Sequence, residues 1–286
     1  MPAGPCIRER DDAGHGADRW LVHAGARLRY RDSGRGPALL LLHGWTLDLE
    51  MWEPQAAALA TQFRVLRLDR RGFGLSSGQP SVDADAADAQ ALLDHLGVGT
   101  AAIVGMSQGA RAALRLAARA PERVTHLVLD GPPAEHASAS EVPLAHYRAL
   151  LRARGIAAVR HEWAQHSLMR LETRDAAAHA LLARMLARYP GNDLREAPAA
   201  MQAAAAHAAA RPAPALPVLV VTGALDQPAR QAAADGWTAR LPGARRARIA
   251  GAAHLPNLDA PDAYNALLRE FLGWRAAGPH VPGEPA

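Results

Sequence analysis

Ser107 sits in the string VGMSQGAR, two residues from Gly105 and two from Gly109. A serine hydroxyl is a weak nucleophile unless a base takes its proton. A G-x-S-x-G string offers that chemistry only where a strand precedes it and a helix follows, so that a sharp turn lifts the hydroxyl clear of the backbone. Both flanks fit. TAAIVGM reads as a strand, and QGARAALRLAARA as a helix stopped by Pro121. The two glycines leave room beside the turn, and the helix start adds backbone N–H groups and the positive end of a dipole. The chain has 13 histidines, so a histidine alone signifies little. His254, in IAGAAHLPNLDAPDAYN, is the well-placed one, in a Gly/Ala loop after the last predicted strand. A base of this kind needs an acid to hold its tautomer and stabilise the imidazolium. Asp226, in VVTGALDQPA, lies just past the preceding strand, and Asp130, in LVLDGPP at an earlier strand end, is the rival. Asp259, five residues beyond His254, is expected to cap the final helix. Acyl transfer also needs two N–H groups aimed at the developing oxyanion. Gln108, next after Ser107, is expected to supply one, and Trp45, in the loop after LLLLHG, the other, with its indole walling the acyl pocket.

The elements that must position these residues are legible as an alternation. RWLVHAGARLRYRDSGRG reads as two short strands around a glycine turn. PALLLLHGW is a continuous apolar run, as a strand buried on both faces requires. EMWEPQAAALATQ, FRVLRLD and SVDADAADAQALLDHLG follow as helix, strand and helix, the last with Ser81 as its N-cap. VTHLVLD is a further strand after the nucleophile helix. From residue 134 to 211 the patterns are helical only, in LAHYRALLRARG, AAVRHEWAQHSLMRL, AAAHALLARMLARY and APAAMQAAAAHAAA. LPVLVVTGALD and ARRARIAGAAH then add two strands, with helices PARQAAADGWTARL and PDAYNALLREFLGWR. The expectation is an α/β fold with a mostly parallel eight-stranded sheet, helices on both faces and an inserted helical stretch. The core spans 19–133 and 212–276, the insertion 134–211, and residues 1–18 and 277–286 are expected to be flexible tails.

A chain of 286 residues, 49% hydrophobic and 21% charged, suits a globular domain of this size. Its net charge of +4 carries little functional meaning. All 32 positive residues are arginine, which reads as base-composition bias, and they are scattered among acids with no basic run. Nucleic acid as a partner is therefore not expected. Neither is a membrane, since no apolar run reaches the length of a span. The single cysteine, Cys6, rules out an intrachain disulfide, and the first twenty residues contain no apolar signal core, so a cytoplasmic location is expected.

Five blocks together, HGWTLDLEMWEPQ, LDRRGFGLSSG, GMSQGA, LVVTGALD and GAAHLPNLDAPDAYN, resemble the α/β-hydrolase fold superfamily from about Trp20 to Trp274. The order Ser107, Asp226, His254 is that of the superfamily's nucleophile, acid and base. The resemblance implies that His43 is structural, that Asp69 to Ser76 shape a loop near the site, and that the helical insertion is a cap that selects substrate. Tyr147, Trp163, His166 and Met169 are its candidates for lining a pocket or packing the cap. HGWTLDLEMW is similar to bacterial aryl esterases and cofactor-free perhydrolases, and HLPNLDAPDAYN to 3-oxoadipate enol-lactonases and C–C bond hydrolases. Gln108 departs from the Met, Leu or Gly frequent in those groups, and its amide could reach the pocket.

Three signals lead elsewhere and are set aside. His161 and His166 in HEWAQH are five apart, which does not place them as a helical metal pair. GVGTAA precedes a strand, whereas a dinucleotide fingerprint follows one. A serine at 107 argues against haloalkane dehalogenase and epoxide hydrolase chemistry, where this scaffold places an aspartate nucleophile. The expectation is a serine hydrolase of small carboxylic esters, with no metal or organic cofactor and a small-molecule ester or lactone as its partner. Self-association is left open. The alternatives are an enol-lactonase or C–C bond hydrolase, which would need an arginine such as Arg111, Arg148 or Arg170 for an anionic substrate, and a ligand-binding protein with vestigial chemistry.

Overall fold

The computed structural model describes residues 16–134, 142–195 and 216–273. Eight strands form one sheet: β1 Arg19–His23, β2 Ala26–Ser33, β3 Ala38–Leu42, β4 Arg64–Leu68, β5 Ala101–Met106, β6 Val124–Asp130, β7 Val218–Gly223 and β8 Arg245–Ile249. Their spatial order is β1-β2-β4-β3-β5-β6-β7-β8. β2 runs antiparallel to both its neighbours, and every pairing from β4 to β8 is parallel.

The apolar runs explain the layering. Successive side chains of a strand point to opposite faces, so Leu39 and Leu41 of β3 enter one core and Leu40 and Leu42 the other. Helices α2 (Val82–His95) and α3 (Gln108–Arg119) cover the second face with Ala86, Ala89, Leu92, Leu93, Ala113 and Leu116. Helix α6 (Pro228–Arg240) adds Ala234 there. The first face is covered by α1 (Glu53–Leu59), by the one-turn helix α7 (Pro256–Asp259), and by α8 (Pro261–Phe271) through Tyr264 and Leu268. Each fully buried leucine contributes about 1.5–3 kcal/mol, which is why this sheet tolerates no polar residue on its central β3 and β5. Ser81 does cap α2, accepting the Ala84 N–H at 3.0 Å.

Between β6 and β7 the described residues are helical, in α4 (Leu144–Ala164) and α5 (Ala176–Arg188), with short turns at Ser167–Met169 and Asn192–Leu194. The two helical patterns expected over 144–171 meet at Gly155, whose φ of 77° and ψ of 177° are non-helical and separate two helical stretches within α4, and the second ends before SLMRL. The expected APAAMQAAAAHAAA helix, the expected boundary near 211 and most of both expected tails lie outside the described residues. No helix among the described residues is long and apolar enough to cross a membrane.

Asp259 corrects an expectation. It does not cap α8, whose N-terminal flank is Ala260 followed by Pro261. Lying at the end of α7, it turns its carboxylate back toward the loop before it, accepting the Ala253 N–H at 2.8 Å. Its other oxygen accepts the N–H groups of Glu172 and Thr173, from the inserted segment, at 2.7 and 3.1 Å.

Candidate active site

All the residues singled out for chemistry stand at the carboxyl ends of the parallel strands, where open α/β sheets bind ligands. Ser107 joins β5 to α3 with φ 51° and ψ −114°, a left-handed backbone that a non-glycine residue adopts at a cost of about 1–3 kcal/mol. Close packing imposes it. A Cβ on Gly105 would stand 2.3 Å from the Gly109 carbonyl oxygen, and one on Gly109 would stand 2.4 Å from the Leu42 oxygen. The glycines thus let the start of α3 press against the ends of β3 and β5. The Ser107 N–H donates to the Asp130 carbonyl at 2.7 Å.

His254 Nδ1 lies 2.9 Å from Asp226 Oδ2, with both side chains almost wholly buried. The other Asp226 oxygen accepts the Gln227 N–H at 2.8 Å, so the carboxylate is fixed at both ends. The two loops are pressed together at Gly223, where a Cβ would meet the Ala253 oxygen at 2.0 Å. Gly131 joins this pair to the serine. A Cβ there would stand 2.9 Å from His254 Cε1 and 3.7 Å from Asp226 Oδ2. The Asp130 carbonyl thus holds Ser107, and Gly131 next to it leaves no room for a side chain beside His254.

The rival acid is placed differently. Asp130 is fully buried, and neither of its oxygens has a hydrogen-bond partner. Burial pushes its carboxyl well above the usual range; the Tyr264 hydroxyl eases this without being placed for a hydrogen bond, and Asp226 adds to it.

Trp45 follows Gly44, which packs against Met106 so closely that a Cβ would stand 2.5 Å from its sulfur. The loop after β3 is thereby brought beside the nucleophile turn. Gln108 is the first residue of α3, so its N–H has no carbonyl one turn earlier in the helix to take it. The Gln108 side chain does not point freely into a pocket, because its Oε1 accepts from Arg70 at 2.8 Å. Arg70 is the residue that sequence reasoning missed. Its guanidinium also donates to the carbonyls of His43 and Gly44, at 2.9 and 3.2 Å, and pairs with Asp85 at 2.6 Å. Two adjacent arginines after a buried strand were the available signal, since such long cations must find anions or carbonyls. His43 is buried beside them. Its Nε2 accepts the Arg70 N–H at 2.9 Å and its Nδ1 donates to the Gly44 carbonyl at 2.8 Å. Burial and Arg70 hold its pKa well below the usual value, so it is neutral.

From the inserted segment, Tyr147 and Trp163 are buried against the Trp45 ring. Met169 is buried, and His166 stacks on Trp163 at 4.5 Å. Of the three arginines considered for an anionic substrate, Arg111 donates to the Ala134 carbonyl, Arg170 pairs with Glu172, and Arg148 is exposed on α4.

A family model described as alpha/beta hydrolase fold matches residues 37–261. The chain belongs to the alpha/beta hydrolase fold family. It is 35% identical over 104 residues to the pimeloyl-acyl-carrier protein methyl ester esterase of Nitrosomonas europaea, covering 36% of this chain and 40% of that relative. It is 39% identical over 125 residues to a fluoroacetate dehalogenase of Burkholderia sp, covering 40% of this chain and 41% of that one. The match thus spans about two fifths of the length of these curated relatives. The solved enol-lactonase from Burkholderia xenovorans is 27% identical with a TM-score of 0.75, covering 89% of this chain and 100% of that chain. The proteins to which this member of the alpha/beta hydrolase fold family is similar include an esterase, a lactonase and a dehalogenase.

Proposed function

We propose that this alpha/beta hydrolase is a serine hydrolase of small carboxylic esters. The observation that carries the reading is the His254–Asp226 hydrogen bond, beside a serine in left-handed backbone at the head of a helix. Ser107 Oγ attacks the ester carbonyl as His254 Nε2 takes its proton, while Asp226 holds the imidazole by Nδ1 and stabilises the imidazolium. The backbone N–H groups of Trp45 and Gln108 take the developing oxyanion. His254 then gives its proton to the leaving alcohol. Water attacks the acyl-enzyme with His254 again as base, and the acid departs as Ser107 regains its proton.

Replacing Ser107 by alanine removes the nucleophile and changes little else. Ser107→Ala is expected to lose at least about a thousand-fold in kcat/KM on p-nitrophenyl acetate, with its melting transition retained. A folded variant that keeps substantial activity would refute the mechanism. A lactone substrate is the second reading, supported by the enol-lactonase likeness over nearly the whole chain. A panel of esters and lactones of graded acyl length separates the two. Against an anionic lactone stands the engagement or exposure of Arg111, Arg148 and Arg170.

A further inference from the structure

The loop that bears Trp45 is strained. Thr46, the next residue, has φ 64°, a left-handed conformation that costs a residue with a Cβ about 1–2 kcal/mol. Such backbone persists only where its surroundings over-determine it. Here those surroundings come from the inserted segment. The Trp163 indole N–H, on α4, donates to Thr46 Oγ1 at 2.7 Å, and that hydroxyl donates to the Trp45 carbonyl at 2.6 Å. From the turn Asn192–Leu194, Asp193 Oδ2 accepts the Trp45 indole N–H at 2.5 Å. The other Asp193 oxygen accepts the Tyr189 hydroxyl, also at 2.5 Å. Rings close the frame, with the Trp45 centroid 4.6 Å from Trp163, 5.9 Å from Tyr147 and 5.8 Å from Tyr189.

Asp193 is the unusual member. Both its oxygens are occupied by neutral donors, and no described cation touches them. Asp193 is half-buried, and burial raises its carboxyl above the usual range against the hydrogen bonds from Tyr189 and Trp45 and the charge of Arg70; placing it here is a cost, so stability does not account for its choice. Its geometry does. An asparagine has one acceptor oxygen and would turn N–H groups toward one of the two donors. A carboxylate accepts from both at once, through hydrogen bonds strengthened by its charge.

We infer that Asp193 is a positioning residue: by gripping the Trp45 indole from the inserted segment, it fixes the Trp45 backbone N–H where the oxyanion develops and sets the wall of the acyl pocket. The inference rests on the serine-hydrolase reading above. Removing an oxyanion donor outright costs about 10²–10³ in kcat, and loosening one costs part of that. Asp193→Asn is expected to lower kcat on p-nitrophenyl acetate by about ten- to a hundred-fold while KM changes less than about three-fold, since the lost interaction forms with the transition state. Trp45→Phe removes the same hydrogen bond from the other side and should show the same loss. In the double variant the two losses should not multiply. Trp45→Phe alone carries the test if Asp193→Asn fails to fold. A kcat within about two-fold of wild type in the folded single variants, a loss confined to KM, or losses that multiply would overturn the inference. If Ser107→Ala is inert and the Asp193 and Trp45 variants are unimpaired, this inference alone fails; if Ser107→Ala stays active, the underlying reading fails.

Discussion

At the level of single residues, two aspartates compete to orient His254, and their surroundings separate them. Asp226 meets His254 Nδ1 with one oxygen and accepts the Gln227 N–H with the other. Asp130 has no donor in hydrogen-bond geometry, and burial pushes its carboxyl well above the usual range. An asparagine is close to isosteric at 130 and breaks no hydrogen bond there, but at 226 it aims the wrong group at the imidazole or at the Gln227 N–H. Asp226→Asn is expected to lose about 10⁴-fold in kcat. Asp130→Asn should stay within about ten-fold of wild type. Steady-state kinetics on both variants checks this, and the opposite ranking would move the acid to Asp130. Gln108 shows why a side chain's type does not fix its role. Its amide is free in the sequence, but Arg70 captures it, so its contribution to the proposed chemistry is its backbone N–H.

At the level of elements, one carboxylate ties the inserted segment to the histidine loop. Asp259 accepts from Ala253, next to His254, and from Glu172 and Thr173. Removing it leaves three N–H groups to find water, and a donor left dry costs about 1–3 kcal/mol. Asp259→Ala is expected to destabilise the fold by about 2 kcal/mol and to lower kcat as the His254 loop loosens, with Asp259→Asn intermediate. Urea denaturation and kinetics on the two variants measure both. Unchanged kcat in a destabilised Asp259→Ala would confine Asp259 to a structural role. The contrast with the expected helix cap shows what the sequence holds and what it does not. The strands were legible because β3, β5 and β7 must be apolar on both faces. The nucleophile turn was legible because Gly105 and Gly109 are dictated by close approach at fixed spacing. The break at Gly155 was visible as a seam between two helical patterns. The contacts that lock the inserted segment were not. Asp193 meets Trp45 across 148 residues, and Arg188 meets Asp48 across 140. Such pairs leave no local period, and an arginine excess shaped by base composition hides which arginines are engaged.

At the level of the whole molecule, these ion pairs converge on a buried layer of charge at the carboxyl edge of the sheet, and that layer links stability to pH. Burial pushes Glu50 up, but hydrogen bonds from Arg188 and Arg29 outweigh it and hold the carboxyl at about 2. Glu50 therefore contributes stability that is present above its ordinary range near 4.5 and is lost only as pH falls toward 2. Asp69 behaves in the opposite sense. Burial, then the neighbouring Asp48 carboxylate, push it up to about 7 against the pull of Arg29 and the Leu49 and Leu75 N–H groups. Burial likewise raises Asp85 and Asp130. A carboxyl with a raised native pKa keeps a proton that the unfolded chain has already released. Between about pH 4 and 7 the native state then binds more protons at such a group, and the group's contribution to stability falls as pH rises. In the same window His43 acts in the opposite sense: burial and Arg70 hold it well below its ordinary value, so the unfolded imidazole takes a proton that the native one refuses, and the contribution of this group rises with pH. The Asp69 contribution is therefore read against a variant in which His43 is unchanged: it favours the native state more at pH 5.5 than at pH 8. Asp69→Asn places a permanently neutral group at the centre of the layer, so in going from pH 5.5 to pH 8 the wild type should lose stability relative to that variant. Urea midpoints for wild type and Asp69→Asn at the two pH values measure it. A variant whose stability changes between the two pH values just as the wild type's does would mean that Asp69 is ionised in the native state and that Arg29 wins over burial.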